Sequence, residues 1–351
     1  MSFAFGFTSD DISDDEVDID QRQPTKTENE ASAILAAVEL ITPSFVDLSD
    51  ILSSLRNIRI TFDEYVTPGG ITVYRRQVYD IKHQIMVEED DVSSNAIHDI
   101  LMGTSDELDL KKNVYEGGFK LWECSYDLVD AVLRYSESGE FNSLKCYLEL
   151  GCGTSLPTCY LLSKLLSSSA ESSIKKVIIS DFNLEVLRLV SIPNIIISWA
   201  MTLSPEELST VEDKNIPLNN DELILTPALL SKFQEQLEIK NIELLLVHGS
   251  WGAKFCDLLI PQQPDFILTS ETIYSLESLP IVLEILLLLL ENKPAYLALV
   301  AAKEYYFGVG GSIVEFMQKL LYKKPSSMAV DTIGNNLGQL KRDIVRMAPA
   351  K

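Results

Sequence analysis

The stretch LELGCGTSLPT, residues 148–158, decides how the chain is read. An apolar run ends at two glycines, Gly151 and Gly153, and Glu149 stands two positions before the first of them. Apolar strand, tight turn and then an apolar helix is how one unit of a parallel α/β sheet begins. Glycine permits positive φ at such a turn and lets a ligand approach the backbone with no Cβ in the way. In an open α/β sheet the first strand-to-helix turn is the usual cradle for a phosphate or a cofactor.

Strand and helix alternate regularly outward from that turn. Strands are expected near Cys146–Leu150, Val177–Ser180, Ile242–His248, Phe266–Ser270 and Ala295–Ala302. Helices are expected over about Trp122–Tyr135, Leu156–Leu166, Leu184–Ile192, Pro227–Glu238, Ser278–Leu290 and Ser312–Leu321. This rhythm implies a Rossmann-like α/β sheet, parallel, with helices on both faces. The strings MAVDTI and DIVRMA flank GNNLGQ and read as an antiparallel pair closing one sheet edge. Residues 201–226 form a polar, proline-containing insertion without clear periodicity. Residues 31–114 read as an amino-terminal cap, in which ITVYRRQVYDI (71–81) has strand composition after the turn Pro68-Gly69-Gly70. Residues 115–351 then hold the main domain.

Residues 1–30 are different. Nine acidic residues between Asp10 and Glu30 face only Arg22 and Lys26, so this tail cannot bury enough apolar surface to offset its ordering entropy and reads as disordered. The alternation Phe3, Phe5, Phe7 suits a short docking motif or an unstructured chain end. The first twenty residues lack the basic start and apolar core of a secretory signal, and the leucine-rich run Ile285–Leu290 lies between Glu284 and Glu291. No membrane association is expected. Five cysteines without a CxxC pair point to reduced thiols in the cytoplasm and nucleus, and with His83, His98 and His248 scattered no metal site is expected. A formal charge of −23 repels phosphate backbones and attracts basic partners, which disfavours direct nucleic-acid binding.

The charge pattern at the turn narrows the ligand. A dinucleotide fingerprint needs a third glycine where Leu156 stands, and a carboxylate at Glu149 would repel a pyrophosphate. The same carboxylate would welcome the cationic amino or sulfonium region of S-adenosylmethionine. By itself the E-L-G-C-G string fits a cofactor loop or an ordinary tight turn. The apolar strand VIIS ends at Asp181, 28 residues after Gly153, where a carboxylate can accept both ribose hydroxyls or cap the next helix.

Four further strings stand in order: YEGGFKLWECSYDLVD (115–130), GSWG (249–252), ILTSETIY (267–274) and AAKEYYFGVGG (301–311). With the two acids they resemble the histidine protein methyltransferase family of fungi and animals, from about Tyr115 to the end of the chain. The resemblance implies a seven-stranded methyltransferase sheet with S-adenosyl-L-methionine as the donor. It implies that Leu121, Trp122, Glu123, Cys124 and Ser125 line the donor pocket and that Gly151 and Gly153 form its backbone cradle, with Glu149 before them. Ser180, Asp181 and Phe182 would bracket ribose and adenine, Gly249, Ser250 and Trp251 the adenine edge, and Ser270 the floor beneath the methionine portion. Trp122 equally suits a place in the core. Relatives often carry an acid where this chain has Ser250, which puts a carboxylate contact to adenine in doubt.

The family's activity implies methyl transfer to a histidine ring nitrogen of a large-subunit ribosomal protein, the third and universally present one, by a monomer whose acidic surface attracts that basic substrate. Neutral imidazole has a pKa near ~6.5, so no strong base is demanded and the chain must mainly align the ring and set its tautomer. Glu271 and Tyr274 of SETIY are the candidate catalytic acceptors, ahead of Asp265 at the opening of that strand. The alternatives are a protein-lysine methyltransferase of the same fold, which would have to deprotonate an amine of pKa near ~10.4, and a non-catalytic acidic chaperone for ribosomal proteins. A dehydrogenase is weakened by Leu156 and Glu149.

Overall fold

A computed structural model of the chain describes residues 28–36, 39–88, 114–212, 216–306, 310–335 and 341–350. The acidic run up to residue 27, with Phe3, Phe5 and Phe7, lies outside them, as do Gly308 and Val309. In chain order the strands are β1 Ser44–Val46, β2 Arg59–Val66, β3 Thr72–Arg76, β4 Cys146–Leu150, β5 Lys176–Asp181, β6 Glu222–Ile224, β7 Glu243–His248, β8 Phe266–Ser270, β9 Leu297–Lys303, β10 Met328–Asn335 and β11 Arg342–Pro349. The helices used below are α1 Glu28–Leu35, α2 Leu48–Ser54, α3 Val78–Glu88, α4 Cys124–Ser138 and α5 Leu156–Ser167. They continue with α6, made of Leu184–Val186, the π-turn Leu187–Ser191 and Ile192–Ala200 in succession, then α7 Pro205–Ser209, α8 Pro227–Ile239, α9 Ala253–Leu259, α10 Ser278–Leu290 and α11 Ile313–Lys323.

Eight strands form one sheet in the order β1-β7-β5-β4-β8-β9-β11-β10. β7, β5, β4, β8 and β9 run parallel to one another, while β11 and β10 close one edge antiparallel. Seven of these strands stand where the sequence places them. The eighth, β1, is a correction to the expected count: three residues pair antiparallel with β7, Ser44 opposite His248. So short a strand has no periodicity of its own and exists because an open sheet edge offers it partners.

Side-chain alternation along β4 shows how the layers form. Tyr147 joins the apolar cluster under α4, α5, α6 and α8, while Cys146, Leu148 and Leu150 join the one under α9, α10 and α11. Every residue of β4 is buried, as a central parallel strand requires. From β4 the chain winds outward to β5 and β7 on one side, then returns to β8 on the other. The strand order therefore switches at β4, and a crevice opens beyond its carboxyl end.

The amino-terminal part forms a second, three-stranded sheet, β3-β2-β6. Pro68-Gly69-Gly70 closes the β2–β3 hairpin, with the Thr67 amide donating to the Ile71 carbonyl at 2.8 Å. The strand reading of residues 71–81 holds only to Arg76; Val78–Glu88 is helical, because Ile81 and Ile85 share a helical face against Val186 and Leu189. Residues 201–226 are also more ordered than their pattern suggests. Ser204 and Glu207 form a capping box at α7, and β6 pairs with β2 by tertiary contact. No helix among the described residues is long and apolar enough to cross a membrane.

Candidate active site

The crevice at the end of β4 holds a cavity of about 450 Å³, within the usual range for small-molecule sites. Gly151 and Gly153 take φ of +66° and +47° as the chain turns from β4 into α5. A Cβ on Gly151 would lie 2.6 Å from Thr272 Cγ2 and 3.1 Å from the Trp251 ring, so the turn is closed to any larger residue. Neighbouring elements hold it in place. The Cys152 amide donates to the Ser180 carbonyl at 2.8 Å, and the Gly153 amide to Asp181 Oδ2 at 3.0 Å. From the π-turn of α6 the Ser191 hydroxyl donates to the Gly153 carbonyl at 2.7 Å, and Asn194 to the Thr154 carbonyl at 2.9 Å.

Asp181 ends β5 in the cavity wall. Its carboxylate also accepts the Asn183 amide at 3.1 Å, and burial pushes it up to about 6. A carboxylate offers about four acceptor positions, and those not taken by the Gly153, Asn183 and Phe182 amides are open to hydroxyl donors in the cavity.

Glu149 lies elsewhere, and this corrects the role read from its sequence position. Its side chain is on the α5 side of the sheet, 2% exposed, where it accepts the Thr158 amide at 3.1 Å, the Tyr147 hydroxyl at 3.1 Å and the Thr158 hydroxyl. It thereby caps α5, whose Ser155 makes no side-chain cap. Burial pushes the Glu149 carboxyl up to about 7. Strand alternation decides the difference: the side chain of Glu149 faces a helix while the backbone two residues on faces the ligand.

The acids that do line the cavity are Glu116, Asp181, Glu271 and Glu277, against Lys120 as the cation among its lining residues. The negative character inferred from Glu149 is thus carried by other residues. Glu116 stands in the segment before α4, which crosses the ends of β4 and β5. The Phe119 amide donates to the Tyr115 hydroxyl at 2.7 Å, Trp122 Nε1 to the Gly117 carbonyl at 3.1 Å, and Asn183 Nδ2 to the Val114 carbonyl at 2.9 Å. Gly118 packs so closely on Val186 that a Cβ there would lie 2.8 Å from it.

Of the expected cofactor residues, Trp122, Ser125, Gly151, Gly153, Asp181, Phe182, Ser250, Trp251 and Ser270 line the cavity. Leu121, Glu123, Cys124, Glu149, Ser180 and Gly249 do not. Leu121 packs into the core, and the Cys124 amide donates to Glu271 Oε1 at 3.4 Å. Ser180 supports the loop from behind. Gly249, at φ +115°, is pressed against the amino-terminal segment, where a Cβ would meet Pro43 Cα at 2.6 Å. Ser250 faces the cavity rim, but its Oγ accepts the Leu40 amide at 3.1 Å and the Ile41 amide at 3.0 Å. Leu40 thereby becomes part of the cavity wall, which no motif foretold.

Both expected catalytic residues, Glu271 and Tyr274, line the cavity. Glu271 follows β8 at φ +57°, a strained conformation for a side chain of this size, fixed by its amide donating to the Ala301 carbonyl at 2.8 Å. The Tyr274 hydroxyl donates to Glu116, and burial raises its pKa further above the ordinary tyrosine range. Gly311 donates to the Tyr274 carbonyl at 2.9 Å and leaves 2.2 Å between a Cβ and the Ile273 carbonyl oxygen. At Gly311, therefore, no side chain fits beside SETIY. Missed by the sequence reading were Glu116, Gly117, Gly118, Lys120, Cys152, Thr154, Thr272, Ser275, Glu277, Ser278 and Ile281. For Glu116 to Gly118 the signal was present in the quoted string YEGGF; for α10 residues there was none.

Three buried polar atoms of the wall, Trp251 Nε1, Ser270 Oγ and Glu271 Oε2, have no hydrogen-bond partner in the protein. Buried polar groups are rarely left so, and here they belong to residues that line a cavity with a glycine cradle. Acids on the wall suit a ligand with cationic groups, and Asp181 suits a ribose. The fold and this site define an S-adenosylmethionine-dependent methyltransferase. No family model matches the chain. It is 42% identical over 347 residues to Histidine protein methyltransferase 1 of Saccharomyces cerevisiae, which spans 90% of this chain and 89% of that protein. It is 34% identical over 277 residues to the protein of the same name in Schizosaccharomyces pombe, spanning 77% and 76%. The chain belongs to the histidine protein methyltransferase family.

Proposed function

We propose that the chain methylates a histidine ring nitrogen in a basic protein, the third, universally present protein of the large ribosomal subunit, acting as a monomer in the cytoplasm and nucleus. The observation that carries the acceptor reading is Glu271 Oε2, a buried carboxylate oxygen without a partner, on a residue that lines the cavity. When bound, S-adenosylmethionine supplies an electrophilic methyl on a positively charged sulfur. Glu271 Oε2 accepts the N–H of the ring nitrogen that does not react, which leaves the lone pair of the other nitrogen free. As positive charge arrives on the ring, the same carboxylate stabilises it and can take the N–H proton. Tyr274, held by Glu116, and Trp122 wall the space in which the ring is aligned and water excluded. The net charge of −23 favours encounter with a basic protein.

The test is incubation with labelled methyl donor and ribosomal extract lacking the modification, followed by mass spectrometry. Label on a histidine of that ribosomal protein is the expected outcome. Label on lysine instead would replace the acceptor, and donor binding without any transfer would make the chain a non-catalytic binder of basic proteins.

A further inference from the structure

Glu271 must be ionised to balance the charge arriving on the ring and take its N–H proton, yet its side chain is only 3% exposed. A buried carboxylate without a counter-ion takes up a proton near neutral pH. The groups that face it come from three elements. Lys303 Nζ, at the end of β9, lies 3.6 Å from Glu271 Oε1, and Cys124 at the start of α4 donates its amide to the same oxygen. The Tyr306 hydroxyl and the Cys124 thiol also bear on the Glu271 carboxylate, the Tyr306 hydroxyl accepting the Lys303 amide at 3.2 Å, and Glu123 completes the group. Of these Lys303 carries the positive charge.

Lys303 is itself fixed from three sides. It is paired with Glu123 at 3.0 Å, lies 5.3 Å from the centre of the Trp122 ring, and has a side chain only 14% exposed. Opposite it in the β9–β11 ladder stands Arg342, which pairs at 2.7 Å with Asp127. Glu123 and Asp127 are one helical turn apart, so two cations side by side on the sheet meet two acids side by side on α4. This arrangement cancels the repulsion of adjacent like charges and leaves the Lys303 ammonium between an acid at the rim and the acid in the cavity.

We propose that Lys303 is the positioning residue that keeps Glu271 ionised and aims its free oxygen at the acceptor ring, with Glu123 holding the ammonium in place. This rests on the role given to Glu271 above. Removing the Lys303 ammonium leaves the buried Glu271 carboxylate without the cation 3.6 Å from its Oε1. Lys303 touches neither reactant; it acts through Glu271 and through the face of Trp122.

The pH dependence of kcat in Lys303→Met, Lys303→Arg and Glu271→Gln tests this, together with thermal unfolding of the unliganded proteins. The acidic limb of the kcat profile is expected to move up by about one pH unit or more in Lys303→Met and to return toward its original position in Lys303→Arg. The unliganded Lys303→Met protein should lose stability as pH rises from 5 to 8, and adding Glu271→Gln should remove that loss. Lys303→Gln carries the measurement if Lys303→Met does not fold. A Lys303→Met profile superimposed on that of the unaltered protein would overturn the proposal. Full kcat in Glu271→Gln would instead overturn the role of Glu271 itself.

Discussion

Asp181 Oδ2 accepts the Gly153 amide at 3.0 Å, so the end of β5 holds the glycine turn that leaves β4. One carboxylate thus shapes the cradle and presents its remaining acceptor positions to the cavity. Asp181→Ala should weaken S-adenosylmethionine binding by about 1–3 kcal/mol, read by titration calorimetry. Unchanged affinity would remove Asp181 from the donor site.

The contact between Gly151 and Thr272 makes a second prediction. Alanine at 151 must adopt φ near +66° and place its methyl 2.6 Å from Thr272 Cγ2. The left-handed conformation alone costs about 1–2 kcal/mol. Gly151→Ala should lower stability in denaturant titration by at least that amount. Thr272→Ser, which removes the opposing methyl, should restore part of it; no recovery would mean the clash is not with Thr272.

Ser250 ties the amino-terminal segment to the rim of the cavity through the amides of Leu40 and Ile41. Ser250→Ala leaves both donors without their acceptor, while the Ser250 amide still reaches the Ile41 carbonyl at 2.9 Å. Faster proteolytic cleavage on the amino-terminal side of β1 is expected, with donor affinity reduced about fivefold to tenfold, equivalent to roughly 1 kcal/mol. Equal cleavage rates would show that the tether does not hold the segment.

Glu149 makes stability depend on pH in a stated direction. Burial raises its folded pKa to about 7 from the ordinary 4.5. The folded state binds a proton more tightly than the unfolded one, so this contribution is fully present below about 4.5 and is lost as pH rises through about 7. Glu149→Gln removes that titration. Its thermal midpoint, compared with that of the unaltered protein, should be more favourable at pH 8 than at pH 5. A difference independent of pH would mean that Glu149 is ionised throughout.

Much of the architecture was legible because it is local. The βα units around β4, β5, β7, β8 and β9 announce themselves as buried apolar runs between glycine, proline and polar turns, and α10 falls at Ser278–Leu290 as its pattern indicates. What escaped was made by pairing at a distance: β1 against β7, β6 against β2, and α3 where strand composition yields to a helical face. β1 and β6, of three residues each, are too short for a period to show, and in α3 the β-branched and aromatic composition masked the helical face.

The sequence by itself determined the order of the parallel units, the glycine turn after β4 and the acid at the end of β5, since each follows from a residue's own conformational range or its neighbours in the chain. Only the tertiary structure decided which side chains face the ligand. Strand alternation turns Glu149 toward α5, the approach of the amino-terminal segment turns Ser250 into a tether, and the pairing of β8 with β9 sets Lys303 beside Glu271. Direction across a sheet and proximity between distant segments are properties of packing, and a linear pattern does not contain them.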